Sequence, residues 1–206
     1  MLLASGAPAI QAQTANASPA MQALIAFAEG LETLAADFDQ RTTDGAGFVV
    51  DEAQGRFSFQ TPDLFRWSIA APFIQELVAD GERLWHYDES LDQVTVREQP
   101  AVSDSPILVL TRPELLDQFY ALEVSRDADV LVFRPLAEDA EFSWARLRFV
   151  NQQPVSLELL DRFDQITVIR FAELQRNPEL PPQQFQFEVP EGVDVLEGFS
   201  ADFTAP

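Results

Sequence analysis

The stretch that decides the fold is DLFRWSIAAPFIQELVADGERLWHYDESLDQVTVRE, residues 63–98. It consists of short apolar runs separated by turn residues, with Asp80-Gly81 near its centre. Strands that are this closely spaced and joined by a tight Asp-Gly turn are typical of antiparallel hairpins. Apolar side chains nevertheless fall on both alternating faces. Because an antiparallel sheet with one solvated face is apolar on the other face only, something must cover or fill the second face.

The aromatic residues of this stretch show the two faces. Phe65, Trp67 and Ile69 share one side of their strand, and Trp85 and Tyr87 share one side of theirs. Periodicity alone favours a fully packed core. The alternative is a sheet that curls into a half-closed barrel, whose inward aromatic residues line a concave space covered by helices.

The rest of the chain extends the same mainly β pattern. Ser18-Pro19 followed by apolar residues at helical spacing predicts an amphipathic helix of about four turns, reaching Ala35. Thr111-Arg112-Pro113-Glu114 fits a capping box that opens a helix ending at Phe119. Short strands fill the remaining segments and end near residue 198. The count is about eleven antiparallel strands and about three helices, one N-terminal and two central.

Composition excludes several partners. The 206 residues carry 34 acidic and 13 basic side chains, for a net charge of −21. Such a surface repels phosphate backbones and anionic headgroups, so neither nucleic acid nor stable membrane insertion is expected. No segment approaches the roughly 20 apolar residues that span a bilayer. The chain contains no cysteine, which excludes disulfides, thiolate metal sites and acylation of an N-terminal cysteine.

The first seventeen residues differ from the rest. Residues 1–17 carry no charge, are rich in small side chains and contain the small-x-small pattern Ala15-Asn16-Ala17. We interpret them as the remnant of a secretory signal peptide, which predicts a periplasmic location. Residues 18–206 contain no linker or repeat and are predicted to form a single domain.

Residues that could carry catalysis are sparse. The only histidine, His86, lies on a predicted strand between two aromatic residues, and no G-x-S-x-G motif accompanies it. Carboxylate pairs such as Asp37/Asp39 are expected by chance at this acidic content. No metal or cofactor site is predicted, and the sequence indicates a binding protein, not an enzyme.

The sequence resembles the LolA family of periplasmic lipoprotein carriers. Segments TPDLFRW (61–67), LVADGERLWHYDESLDQVTV (77–96), SPILVL (105–110), LELLDRFDQITVIRF (157–171) and FQFEVPEGVDVLEG (185–198) occur in the order and at the spacing of that family. The resemblance implies an unclosed β-barrel with a helical lid over a hydrophobic cavity. It also implies a monomeric carrier that accepts acylated lipoproteins from an inner-membrane ABC transporter and delivers them to an outer-membrane lipoprotein receptor. The alternative is a related half-barrel that binds a glycolipid or fatty acid, or that senses lipoproteins.

Site residues follow from the pattern and the resemblance together. The residues expected at the acyl-chain cavity or its mouth are Phe57, Phe59, Phe65, Trp67, Ile69, Trp85 and Tyr87. Those expected in the lid are Leu24, Leu31, Leu108, Leu110, Leu115 and Phe119. Phe65 matches a family aromatic residue implicated in ligand transfer. Thr61 stands where the family usually has an arginine that latches the lid, and a single hydroxyl should hold it less firmly than a guanidinium.

Overall fold

A computed structural model describes residues 18–99, 109–138 and 140–198 of the chain. Two α-helices are described, α1 (Pro19–Ala28) and α2 (Leu116–Phe119), together with 3-10 turns at Glu89–Leu91 and Pro113–Leu115. The strands are β1 (Thr33–Thr43), β2 (Val49–Gln60), β3 (Leu64–Ala71), β4 (Gln75–Ala79), β5 (Arg83–Asp88), β6 (Gln93–Glu98), β7 (Tyr120–Glu123), β8 (Val130–Pro135), β9 (Phe142–Val150), β10 (Gln153–Asp161), β11 (Ile166–Arg176) and β12 (Asp194–Glu197).

The twelve strands form one open sheet. Their order is β12-β6-β5-β4-β3-β2-β1-β11-β10-β9-β8-β7, so β12 and β7 are its edges among the described residues. The prediction of a mainly β, unclosed antiparallel sheet is confirmed. The structure describes twelve strands where the sequence predicted about eleven, and β12 pairs with β6 in parallel, with Asp194 opposite Gln93. Alternation of apolar and polar residues does not encode strand direction, so the parallel pair had no signal in the sequence.

Helix α1 begins as predicted and ends early. The Ser18 hydroxyl accepts a hydrogen bond from the Met21 backbone N–H at 3.1 Å, and Pro19 occupies the first turn. The helix ends at Ala28, not near Ala35, because Glu29 is already extended with a ψ of 118° and Gly30 then takes a positive φ of 66°. The apolar residues that follow belong to β1, whose alternation coincides over a few positions with helical spacing.

The central helical region is shorter than predicted. No side-chain capping bond forms at Arg112, and the first turn after it is a 3-10 turn. Only the four residues of α2 follow before β7 begins. The three-helix lid is therefore corrected to two α-helices in the described part of the chain.

The chain divides into two compact units. Unit 1 comprises residues 1–29, 43–48 and 105–168, and unit 2 comprises residues 30–42, 49–104 and 169–206, within the described ranges. The single domain predicted for residues 18–206 stays a prediction.

Unit 1 is a helix packed on antiparallel strands. Helix α1 contacts β8, β9 and β10 through fully buried side chains such as Leu24 and Phe27. The strand residues buried in this unit include Leu131, Phe133, Ala145, Leu147, Phe149 and Leu157. The opposite face is charged, with Arg148 Nη1 lying 2.8 Å from Asp127 Oδ2. Unit 1 thus has one apolar and one polar face.

Candidate functional site

Unit 2 carries an aromatic face centred on Trp67. Phe57 lies opposite Trp67 and Phe59 lies opposite Phe65 in the pairing of β2 with β3, so all four share one face. The Phe38 ring of β1 stacks on Trp67 with centroids 3.9 Å apart, and Phe57 lies 5.7 Å from Trp67. We refer to these five residues and Ile69 as the Trp67 face.

Most of this face is deeply buried. Phe57, Phe59, Trp67 and Ile69 are all buried, whereas Phe65 is half-buried at its edge. Leu77 continues the face onto β4, because it lies opposite Trp67. The face is therefore a continuous apolar surface with one partly accessible aromatic side chain, Phe65.

Trp85 and Tyr87 lie on the other face of the sheet. Trp85 pairs with Val78 and Tyr87 with Glu76, and those partners alternate with Leu77, which belongs to the Trp67 face. The seven residues predicted at the acyl-chain cavity or its mouth therefore divide between the two faces of the sheet. The parity of β5 relative to β3 depends on the turn and the pairing register, which a single sequence does not specify.

The C-terminal segment covers the face that carries Trp85 and Tyr87. Phe187 packs on Trp85 with ring centroids 5.6 Å apart and on Tyr87 at 6.1 Å. The Gln184 side chain donates to Ser58 Oγ at 3.1 Å. Part of the second apolar face found in the sequence is thus packed against residues 184–187, a contact that the FQFEVP pattern alone did not indicate.

A cavity of about 410 Å³ lies beside this segment. Its lining is formed by Arg66, Glu76, Tyr87, Gln183, Gln186, Phe187, Glu188 and Pro190. Arg66 forms an ion pair with Glu76 and donates to the Gln184 carbonyl at 3.3 Å. The Arg66 guanidinium is therefore neutralised inside the protein and joins β3 to the C-terminal segment. The mixed polar lining distinguishes this cavity from the Trp67 face.

The predicted lid residues are spread over several elements. Leu24 lies on α1 and Leu110 precedes the 3-10 turn, and both are buried. Leu115 and Phe119 are half-buried in the central helical region. Leu31 is buried but follows α1, and Leu108 lies outside the described residues.

Thr61 and Asn177 hold the segment that connects α1 to β1. Thr61 donates to the Glu32 carbonyl from its backbone N–H at 2.9 Å and from its hydroxyl at 3.3 Å. Asn177 Oδ1 accepts from the backbone N–H groups of Glu32 and Thr33, and its Nδ2 donates to the Gly30 carbonyl at 2.9 Å. Thr61 therefore hydrogen-bonds, but to the residue after the helix segment and not to the helix itself. Asn177 makes more hydrogen bonds to this segment than Thr61 does, and the sequence analysis did not identify it.

Asp80 and His86 are among the titratable groups of unit 2 whose pKa values are shifted from their ordinary values. Burial acts to raise the pKa of Asp80, but hydrogen bonds from Trp85 Nε1, at 2.8 Å, and from the Arg83 and Glu82 backbone outweigh it and leave that pKa lowered. Burial lowers the pKa of His86, which favours a neutral imidazole. His86 is half-buried on β5 and lies opposite Thr95 of β6, and no group of metal-ligating side chains occurs among the described residues.

No described helix has the length and apolarity needed to cross a membrane. The family model described as "Outer membrane lipoprotein carrier protein LolA" matches residues 29–188. The chain belongs to the LolA family.

Relatives of this LolA-family chain share one description. A protein of Halorhodospira halophila named "Outer-membrane lipoprotein carrier protein" is 40% identical over 177 residues, which cover 86% of this chain and 85% of the relative. A protein of Chromobacterium violaceum with the same name is 38% identical over 202 residues, covering 96% of this chain and 97% of the relative. The match therefore extends over nearly the full length of both chains.

One solved structure shares the fold of this chain. An uncharacterized conserved protein from Thermus thermophilus superposes with a TM-score of 0.53 at 14% sequence identity. The match covers 86% of this chain and 99% of that protein. At this level of identity the likeness shows the fold alone.

Proposed function

We propose that this protein is a periplasmic carrier that binds the acyl chains of lipoproteins leaving the inner membrane and delivers them to the outer membrane. The observation that carries the proposal is the 40% identity over 177 residues to a protein named outer-membrane lipoprotein carrier protein. The donor is an inner-membrane ABC transporter, the acceptor is an outer-membrane lipoprotein receptor, and the carrier acts as a monomer without enzymatic activity.

The acyl chains bind on the Trp67 face. Transfer of one sixteen-carbon chain from a membrane to water costs on the order of 12 kcal/mol, at about 0.8 kcal/mol per methylene. A carrier with a comparably apolar surface exchanges one burial for another, so this cost is largely avoided. The continuous face from Phe57 to Leu77 supplies such a surface, whereas the 410 Å³ cavity with its mixed polar lining does not.

Phe65 is the residue of this face that first meets the ligand, since it is half-buried at the edge where its neighbours are fully buried. The lid role of Leu24, Leu31, Leu108, Leu110, Leu115 and Phe119 remains a prediction. So does the weaker latch at Thr61.

Spheroplasts that synthesise a labelled outer-membrane lipoprotein test this function. The purified protein should release the label into the supernatant as a soluble complex, and Phe65→Glu should fold but release little, because a carboxylate would have to be desolvated beside the acyl chain. The matched control is Phe163→Glu, since Phe163 is a phenylalanine that is 79% exposed in unit 1. Absence of release by the wild-type protein would refute the carrier function. Normal release by Phe65→Glu would refute the assignment of Phe65 alone.

A further inference from the structure

Two buried polar atoms lie among the apolar side chains around Trp67. The Gln40 side-chain oxygen Oε1 and the Trp67 indole nitrogen Nε1 have no hydrogen-bond partner among the described residues. Gln40 is only 4% exposed and Trp67 only 7%. Because buried polar atoms are nearly always hydrogen-bonded in native proteins, two orphaned atoms in one region require a reason.

Phe38 links the positions of the two residues in the fold. Gln40 lies two residues after Phe38 on β1, so both side chains point to the same face, roughly 7 Å apart along the strand. Phe38 is the ring that stacks on Trp67 at 3.9 Å. Gln40 is therefore one same-face position away from the Phe38–Trp67 stack.

The two orphaned atoms have complementary chemistry. An indole Nε1 can only donate a hydrogen bond, and an amide Oε1 can only accept one. A ligand group that satisfies both must offer one acceptor and one N–H or O–H donor.

A secondary amide attached to an alkyl chain meets both requirements. Its carbonyl accepts from Trp67 Nε1, its N–H donates to Gln40 Oε1, and its alkyl chain lies along Phe57 and the rest of the Trp67 face. A fatty ester meets only the first requirement, since an ester has no donor.

We propose that Gln40 and Trp67 form a polar subsite for the amide of an N-acyl chain, which makes the carrier discriminate amide-linked from ester-linked acyl groups. The inference rests on the proposed carrier function and specifies which part of the cargo the Trp67 face recognises. In the free protein, the subsite leaves two buried polar atoms without a hydrogen-bond partner among the described residues. The stabilising hydrogen bonds form only when the ligand is bound.

A matched pair of ligands tests the subsite. N-methyldodecanamide and methyl dodecanoate differ only in one N–H replaced by oxygen, and their affinities follow from displacement of an apolar fluorescent probe. The wild-type protein should bind the amide about tenfold more tightly than the ester, the effect of one neutral hydrogen bond in a buried site. Gln40→Met keeps the length of the side chain and should abolish this preference while leaving the ester affinity within about twofold of the wild type.

Stability supplies a second readout that a merely structural glutamine would not give. Removing an orphaned acceptor should leave the Tm of the ligand-free Gln40→Met protein equal to that of the wild type or higher by a few degrees. The matched control is Gln75→Met, because Gln75 Nε2 already donates to Asp88 Oδ2 at 2.8 Å. Gln75→Met should lower the Tm and retain the preference for the amide.

Other outcomes separate this inference from the carrier function. If Gln40→Met lowers the Tm and the preference for the amide persists, Gln40 is a water-bridged structural residue and the subsite is refuted. If the wild-type protein binds both ligands equally, the subsite is refuted while acyl binding stands. If it binds neither ligand, the proposed carrier function itself fails. Trp67→Phe should weaken both ligands, since both carry the carbonyl that Nε1 would bond.

Discussion

Gly55 occupies a position where even a methyl group does not fit. It lies at the register shift in the pairing of β2 with β3. A Cβ built at Gly55 would collide with the backbone carbonyl oxygen of Ser68 and would lie 2.8 Å from the Phe38 ring. The ring could move, but the carbonyl can move only if the two strands separate, because it is part of the backbone.

The expected effect of Gly55→Ala is a large loss of stability. Overpacking of this kind costs about 1–3 kcal/mol, and alanine recovers at most about 1 kcal/mol by restricting the unfolded chain. We therefore expect a net loss of about 2 kcal/mol in the free energy of unfolding, or a fall in Tm of about 4–8 °C. Tryptophan fluorescence of the folded protein should also change, since Phe38 stacks on Trp67.

Urea unfolding of Gly55→Ala and Gly45→Ala side by side measures this effect. A Cβ at Gly45 would lie 3.6 Å from Asp164, an ordinary van der Waals distance, so Gly45→Ala should stay within about 0.5 kcal/mol of the wild type. If Gly55→Ala is as stable as Gly45→Ala and its fluorescence is unchanged, the close approach of β2 and β3 is wrong.

Three further changes test other contacts of unit 2. Asn177→Ala should destabilise the protein by about 1–2 kcal/mol, because the exposed Glu32 and Thr33 N–H groups exchange their side-chain acceptor for water and alanine disfavours the φ of 54°. Asn177→Gly should lose less, since glycine tolerates that φ. The pKa of His86 is lowered in the folded protein, so the unfolded state takes up the proton at a higher pH than the folded state. The free energy of unfolding should therefore fall as the pH drops below about 6.5. His86→Gln should reduce this pH dependence in urea titrations across pH 5–8. The pKa of Asp80 is lowered in the folded protein, so its contribution to the free energy of unfolding is present above the unfolded pKa of about 3.9 and is lost as the pH falls through the folded pKa. Asp80→Asn should lower the stability at pH 7 and reduce the loss of stability in acid. An unchanged loss of stability in acid would contradict this prediction.

Local signals in the sequence predicted the hairpins and the start of α1. Asp80-Gly81 does connect two antiparallel strands, with Gly81 at a φ of 98° that the turn requires. Ser18-Pro19 does begin a helix. These features depend on residues close together in the chain, so their physical cause is visible in one sequence.

Features that depend on pairing between distant segments were not predictable. The predicted helix extends beyond Ala28 because the apolar residues after Gly30, including those of β1, also fit helical spacing. The face of the sheet on which Trp85 lies is one such feature, since nothing local sets the parity of β5 relative to β3. The stacking of Phe187 on Trp85 joins positions about a hundred residues apart, and alternation alone does not say which face such a segment will cover.

Orphaned polar atoms are also invisible in the sequence. Gln40 shares one face of β1 with Phe38, where the alternation predicts an apolar side chain. In the sequence alone, a polar residue at that position suggests a wrongly assigned strand register or an exposed sheet edge. Only the burial of Gln40 and the lack of a partner for its Oε1 among the described residues identify it as a candidate ligand contact.

Photocrosslinking of bound cargo tests the central claim most directly. A lipoprotein whose acyl chains carry a diazirine would be released from spheroplasts by the purified protein, irradiated, and mapped by mass spectrometry of the tryptic peptides. We predict crosslinks to residues of the Trp67 face, above all Phe57, Phe65 and Trp67. Crosslinks confined to Trp85, Tyr87 and the segment around Phe187, or the absence of any crosslinked carrier, would contradict it.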